Sequence, residues 1–259
     1  MRIGIIGATG WLGSALGVRL LQQGVVAPEG LTLLNRSGEP GPYQAWPGVA
    51  FAPDLAALVR ASDVVVIAVR PETWPELHLH APDRLVISFM AGIGAAALGA
   101  SGGRVLRAMP NAAADIGASW TPWWASDAVT PKDRDVTRRI LSAIGTEEEI
   151  PCEDHIDLMT AVPGSGAAYP ALMAQALAEY LIAQGLPEGT AWRAAGAVVS
   201  GGARLLEGDA SRARDLLAAY LDYRGTTAAG LQAAETAGFS AAIRAAIKAA
   251  AQKSADMGR

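Results

Sequence analysis

The chain has 259 residues, 51% of them hydrophobic, with 29 glycines and a formal net charge of −4. That balance describes a compact chain long enough for two domains and excludes a disordered polymer; with no dense Lys/Arg cluster it also leaves no electrostatic footprint for nucleic acid or an anionic membrane surface. A single cysteine, Cys152, rules out an internal disulfide and reads as structural. No apolar run reaches the roughly 18–20 residues that span a bilayer and no secretory-type segment is visible, so a cytoplasmic protein is expected.

In chain order, "RIGIIG" (2–7), "LTLLN" (31–35), "DVVVIAV" (63–69), "RLVISFM" (84–90) and "RVLRAM" (104–109) are continuous runs rich in branched residues. Such runs predict strands covered on both faces. Helical patterns lie between them, among them Ser14–Gln23 and Leu55–Ala61. Strands joined by helical crossovers predict a doubly wound, parallel, Rossmann-like sheet over residues 1–150. Trp120, Trp123 and Trp124 in "WTPWW" suit a pocket wall or the anchoring of a loop or subunit contact, with packing favoured. Past residue 150 the period changes. Tyr169, Leu172, Met173, Ala176, Leu177, Tyr180 and Leu181 recur at helical spacing, with Pro163 and Pro170 expected to limit or kink the helix, and residues 151–259 read as a second, all-helical domain.

Three glycines, Gly7, Gly10 and Gly13, fall between the first strand and a helix starting near Trp11. Unhindered amides at a helix N-terminus are what a pyrophosphate needs, although glycines there also serve simply to permit a sharp turn. The spacing is one residue longer than the GxGxxG fingerprint. The second strand ends Asn35-Arg36-Ser37, with no acid before Glu39 to grip a ribose 2′-hydroxyl. A basic residue at that point suits a 2′-phosphate, so the expected cofactor is NADPH, with Arg36 paired to the phosphate.

Several spaced segments together resemble pyrroline-5-carboxylate reductase, which reduces a cyclic imine with NADPH: "AVRP" (68–71), "SFMAGI" (88–93), "RAMPN" (107–111), "DLMTAVPGSGAAY" (157–169) and "GTTAAGL" (225–231). The resemblance spans nearly the whole chain. It implies a helical dimerisation domain and a homodimer, or a higher oligomer built on dimers. It also implies that the cofactor is held by Gly7, Thr9, Gly10, Trp11 and Leu12, by Asn35, Arg36 and Ser37, and by Ala68, Val69, Arg70, Pro71, Ala91, Gly92 and Asn111. Substrate contacts are implied for Met109, Ser165, Asp222, Arg224, Gly225 and Thr226. Thr227 is implied to be the catalytic hydroxyl, bonding the ring nitrogen, with the backbone amides of Gly225 and Thr226 forming an anion nest; a plain N-cap role for either threonine is the structural alternative. No metal is expected: His78 and His80 lack further ligands at suitable spacing.

Where the family usually carries Ser-Pro-Gly-Gly this chain has Asp222-Tyr223-Arg224-Gly225, and Arg70 replaces the family lysine. An aspartate at the serine position repels a substrate carboxylate, unless Arg224 pairs with it or takes the carboxylate itself. The expected substrate is therefore a related imine that lacks the carboxylate or presents it differently. A β-hydroxyacid dehydrogenase mechanism has no lysine in 160–185 to carry it. Two other readings remain open: a deazaflavin-linked NADP oxidoreductase, whose glycine turn matches Gly7–Gly13, and a non-catalytic NADP-binding sensor.

Overall fold

The structure is a computed structural model and describes residues 1–257. Eight strands, β1 (Ile3–Ile6), β2 (Leu31–Leu34), β3 (Ala50–Phe51), β4 (Val64–Ile67), β5 (Leu85–Ser88), β6 (Arg104–Ala108), β7 (Ser119–Ala125) and β8 (Gly145–Glu149), form one sheet in the order β3-β2-β1-β4-β5-β6-β7-β8. All neighbours are parallel except β6 and β7. Helices α1 (Trp11–Gln22), α2 (Leu55–Ala61), α3 (Trp74–Leu77), α4 (Ala95–Leu98), α5 (Pro131–Leu141) and α6 (His155–Met159) accompany it. The remaining five are α7 (Ala168–Ala183), α8 (Glu188–Arg204), α9 (Ala213–Tyr223), α10 (Thr226–Thr236) and α11 (Phe239–Met257).

Two compact units result: Met1–Ser165 together with the stretch from Ala249 onward, and Gly166–Lys248. In the first, alternate residues of each strand serve opposite cores. Ile3, Ile5, Val64, Val66, Leu85 and Ile87 pack with Leu16 and Leu20 of α1 and Ile140 of α5. Their neighbours Ile6, Val65, Ile67 and Val86 pack with Leu58 and Val59 of α2. Both faces being buried is why these strands read as unbroken apolar runs.

The five strands read from sequence are all present, and β3, β7 and β8 are additions. The "WTPWW" segment is part of β7, with Trp123 fully buried and Pro122 offering only its carbonyl, which accepts from the Met109 amide at 2.9 Å. Strand β8, "GTEEE", shows no apolar signal: Glu148 is exposed, and the two half-buried carboxylates find polar partners on other elements. Glu147 accepts from the Trp123 indole, while Glu149 takes Arg134 at 2.8 Å and Arg138 at 3.3 Å from α5. The Arg138 guanidinium also lies 5.4 Å from the Trp123 ring centroid.

Arg107, 4% exposed, fastens the far end of β6: it binds Glu153 at 2.9 Å and approaches Asp157 at 3.8 Å. Glu153 in turn accepts from the Ala95 amide that opens α4, and Asp157 accepts from Ser254 near the end of α11. One buried cation thus gathers three helices. Within the second unit, α7 and α8 pack through Ala178, Ala191 and Ala195. Among the described residues no helix is long and apolar enough to cross a membrane.

Candidate active site

The strand order reverses around β1, between β2 and β4, and in open α/β sheets ligands bind outside the carboxyl ends of the strands at that switch point. There the chain turns sharply from β1 into α1. Gly7 adopts φ +82°, and a Cβ on it would lie 2.6 Å from the Ala68 carbonyl oxygen. A Cβ on Gly13 would lie 2.3 Å from the Gly7 oxygen. Both glycines are therefore required by backbone contact, while Gly10, the N-cap, is exposed. No side chain caps α1, so the amides of its first turn are left for an outside acceptor.

Tyr43 supports this turn from beneath. Its hydroxyl lies 3.1 Å from the carbonyls of both Ala8 and Gly13 and is positioned to donate to them. Burial pushes the phenol well above its ordinary range, so it remains a donor at any working pH. Nothing in "GPYQA" announces this role; the only available signal is that a buried tyrosine needs a polar partner.

Asn35 builds the turn after β2. Its amide donates to Glu39 O at 2.7 Å and Thr9 Oγ1 at 3.3 Å, and its Oδ1 accepts from Gly38 N at 2.9 Å. With Asn35 so committed, Arg36 and Ser37 stand exposed at the tip, and Arg36 has no ion-pair partner among the described residues. Asn35 thus shapes the loop, and Arg36 is the group free to meet a ligand. Trp11, exposed on the first turn of α1, is oriented by a 2.7 Å bond from its indole to Asp115.

The same edge carries the other predicted residues of this unit. Ala68, Val69, Arg70 and Pro71 follow β4, with Arg70 exposed; Ala91 and Gly92 follow β5; Met109 and Asn111 follow β6. Asn111 is anchored locally by one bond at each end of its amide: its Oδ1 accepts from Ala113 N at 2.9 Å and its Nδ2 donates to Pro163 O at 2.8 Å. Pro163 belongs to a single π-helical turn, Thr160–Gly164, closed by Ser165 Oγ donating to Thr160 O at 3.0 Å. Met109 is buried beside Ile150 and Ile156, and a Cβ on Gly164 would come within 3.2 Å of it. Asn111, Met109 and Ser165 are therefore brought together by the π-turn, a deformation frequent at functional sites.

Asp222, Arg224, Gly225, Thr226 and Thr227 share the α9–α10 junction in the other unit. Helix α10 begins at Thr226, its N-cap is Gly225, and no side chain caps it. The sequence alternative that made a threonine the N-cap is corrected: glycine takes that position and both hydroxyls belong to the first helical turn. Arg224 ends α9 with φ +57°, a left-handed conformation that costs an L-residue about 1 kcal/mol. Neither Asp222 nor Arg224 has an ion-pair partner among the described residues, so the pairing of the two considered from sequence is absent. No group of three or more described His, Cys, Asp or Glu side chains is placed to hold a metal.

Comparison with known proteins adds two family models. One described as pyrroline-5-carboxylate reductase dimerisation matches residues 153–257, and one described as NADP oxidoreductase coenzyme F420-dependent matches residues 2–92. The chain is 33% identical to a pyrroline-5-carboxylate reductase of Synechocystis, over all of this chain and 99% of that one. It is 32% identical to the enzyme of the same name from Pseudomonas aeruginosa, over 99% and 96% of the two chains. Among solved structures, a 1-pyrroline-5-carboxylate reductase from Streptococcus pyogenes superposes with TM-score 0.87 at 29% identity, covering 99% of this chain and 98% of that one. A Plasmodium falciparum pyrroline carboxylate reductase with NADP bound has the same fold, with TM-score 0.87, 23% identity, and 100% and 98% coverage.

Proposed function

Because this chain belongs to the pyrroline-5-carboxylate reductase family, we propose that it reduces the C=N bond of a cyclic imine related to pyrroline-5-carboxylate. It is an NADP-dependent oxidoreductase. The observation that carries this reading is identity at the 33% level along the entire chain, nucleotide and helical parts alike. The residues present fit the cofactor: an uncapped helix start behind Gly7 and Gly10, and an unpaired Arg36 beyond the end of β2. When bound, NADPH would supply the hydride to the carbon of the protonated imine, whose nitrogen already carries the proton, so that the product is the neutral cyclic amine.

What this chain contributes is orientation. The amides of Trp11 and Leu12 receive the pyrophosphate, Arg36 the 2′-phosphate, and the loops at Ala68–Pro71 and Ala91–Gly92 flank the nicotinamide. Asn111 holds its turn through one N–H and its Oδ1, and its second N–H is left for the cofactor. Thr227, on the uncapped first turn of α10, offers its hydroxyl to the ring nitrogen, and the amides around Gly225 and Thr226 offer an anion nest. The large exposed apolar side chains of α7 and α8 are covered in a homodimer or an assembly of dimers.

Asp222 and Arg224 bear on which imine the site would accept. An unpaired carboxylate and an unpaired guanidinium at one junction do not suit the carboxylate of pyrroline-5-carboxylate as a serine and a glycine would. A related imine that lacks this carboxylate or places it differently fits better. The test follows NADPH absorbance with pyrroline-5-carboxylate, its uncarboxylated pyrroline, and the six-membered homologues of both. Preference for one of the other imines is expected; ordinary turnover of pyrroline-5-carboxylate overturns the altered specificity but not the reaction type. Arg36→Asp is expected to raise KM for NADPH far more than for NADH, and equal effects overturn its role.

A second reading has one observation in its favour, the match of residues 2–92 to the F420-dependent NADP oxidoreductase model. It leaves the helical half without an explanation. Reduction of NADP by reduced deazaflavin, with no oxidation of NADPH by any of the imines, would establish it instead.

A further inference from the structure

We propose that a cavity of about 590 Å³ at the amino ends of the strands, the edge opposite the cofactor cleft, binds a small polyanion of phosphate or polycarboxylate chemistry. Its volume lies within the usual range for small-molecule sites, roughly 300–1,000 Å³. Residues at the starts of β4, β5 and β6 and along one face of α5 line it.

The charges decide the ligand's sign. Asp133 accepts from Arg104 at 2.7 and 2.9 Å and from the Thr130 hydroxyl and amide at 2.7 and 2.9 Å, so both Asp133 and Arg104 are committed to each other and to the start of α5. Asp63 is likewise committed, to the amide and guanidinium of Arg2. What is left is three cations, Arg84, Lys132 and Arg139, none with an ion-pair partner among the described residues, against the single uncommitted carboxylate of Asp83.

Arg84 adds an independent observation: its Nε is buried and has no hydrogen-bond acceptor. That nitrogen is covered by protein atoms, so what it shows is a guanidinium the protein does not anchor, whose two terminal nitrogens are the ones open to a ligand in the cavity. The two other free cations are exposed on α5, three and four positions either side of Val136, which also lines the cavity. Guanidinium groups match phosphate and carboxylate oxygens in pairs, so more than one anionic group per ligand is needed to engage all three cations. The arrangement does not depend on the cofactor and draws on none of the residues assigned to it.

Calorimetry on the full chain saturated with NADPH, which keeps the cofactor's own phosphate subsites filled, tests this with inorganic triphosphate in one arm and citrate in another. One-to-one binding in either arm is expected, weakening as salt rises from about 50 to about 200 mM. Binding of triphosphate alone, or of citrate alone, identifies which anion chemistry the site takes. Arg84→Ala should weaken binding at least tenfold, as should the double variant Lys132→Ala, Arg139→Ala, whose exposed positions leave folding intact should Arg84→Ala not. Absence of binding in both arms, or binding that the double variant retains at full strength, overturns the proposal.

Discussion

The nucleotide unit and the helical unit solve the burial problem differently. The first hides whole side chains, such as Leu16, Leu20, Ile87 and Trp123, at 0% exposure inside its own chain. The second hides mainly alanines and leaves Leu172 at 67%, Tyr180 at 66% and Val198 at 56%. Apolar surface on that scale calls for a covering partner. The first unit is thus a finished object, while the second presents an apolar face that a second copy would cover.

The sharpest way to break the first unit is through its backbone. Gly7→Ala places a side chain at φ +82° with its Cβ 2.6 Å from a carbonyl oxygen. The conformation alone costs about 1–3 kcal/mol and the clash adds to it. Denaturant unfolding should show the loss, and NADPH binding should fall at least a hundredfold. Binding within threefold of the parent would mean that the turn is not the pyrophosphate site.

The second test sets the two units directly against each other. Leu16→Ala should cost about 2–5 kcal/mol whatever the protein concentration, because its cavity lies inside one chain. Leu172→Glu with Tyr180→Glu should barely disturb an isolated chain but convert the oligomer to monomer in sedimentation velocity, with imine reduction lost and NADPH binding kept. An oligomer that survives the double charge would place the interface elsewhere.

Smaller effects sharpen the roles of single groups. Tyr43→Phe removes the donor shared by the Ala8 and Gly13 carbonyls, at a cost of about 1–2 kcal/mol, and should raise the dissociation constant for NADPH severalfold with kcat little changed. Arg224→Gly should stabilise the chain by up to about 1 kcal/mol by relieving a left-handed residue, while shifting the preference among imines further away from carboxylated ones, because Asp222 is left without an offsetting cation. Gain of stability without a change of preference would make Arg224 a bystander.

How far these features could be read in advance depended on which interaction made them. The central strands were legible because two-sided burial writes itself as uninterrupted Val, Ile and Leu, and the glycine turn because only glycine satisfies its contacts. Strand β8 was hidden because its half-buried glutamates find partners on other elements, Glu149 with two arginines of α5 and Glu147 with the Trp123 indole, pairings made in space rather than in sequence. Strand β7 was masked by Pro122. Tyr43 and Asp115 escaped notice for the same reason as β8: each acts through bonds to distant residues. Asn35 and Asn111 are expected from the sequence as cofactor residues, and the loop-shaping bonds their amides make are a second role that the sequence does not announce. Spacing reveals periodic burial and backbone necessity, and says little about who holds whom.

The mildest perturbation, acid, also separates the units. The two carboxyl groups with resolved downward shifts both belong to the nucleotide unit. Asp63 is held down by its bond from Arg2. Burial would raise Asp133, but bonds from Arg104 and Thr130 outweigh it and bring it to about 2. A carboxyl depressed on folding contributes stability that is present above its unfolded value, near 3.9, and is lost as pH falls through its folded value. The nucleotide unit should therefore lose stability progressively between about pH 4 and pH 2 as Asp133, which closes the capping box of α5 and holds Arg104, takes up a proton. Asp133→Asn should lower stability at neutral pH and flatten that part of the profile, read as the dependence of Tm on pH. If the variant keeps the parent's full acid slope, the sensitivity belongs to other carboxylates, and the capping box at the start of α5 does not account for the first unit's response to acid.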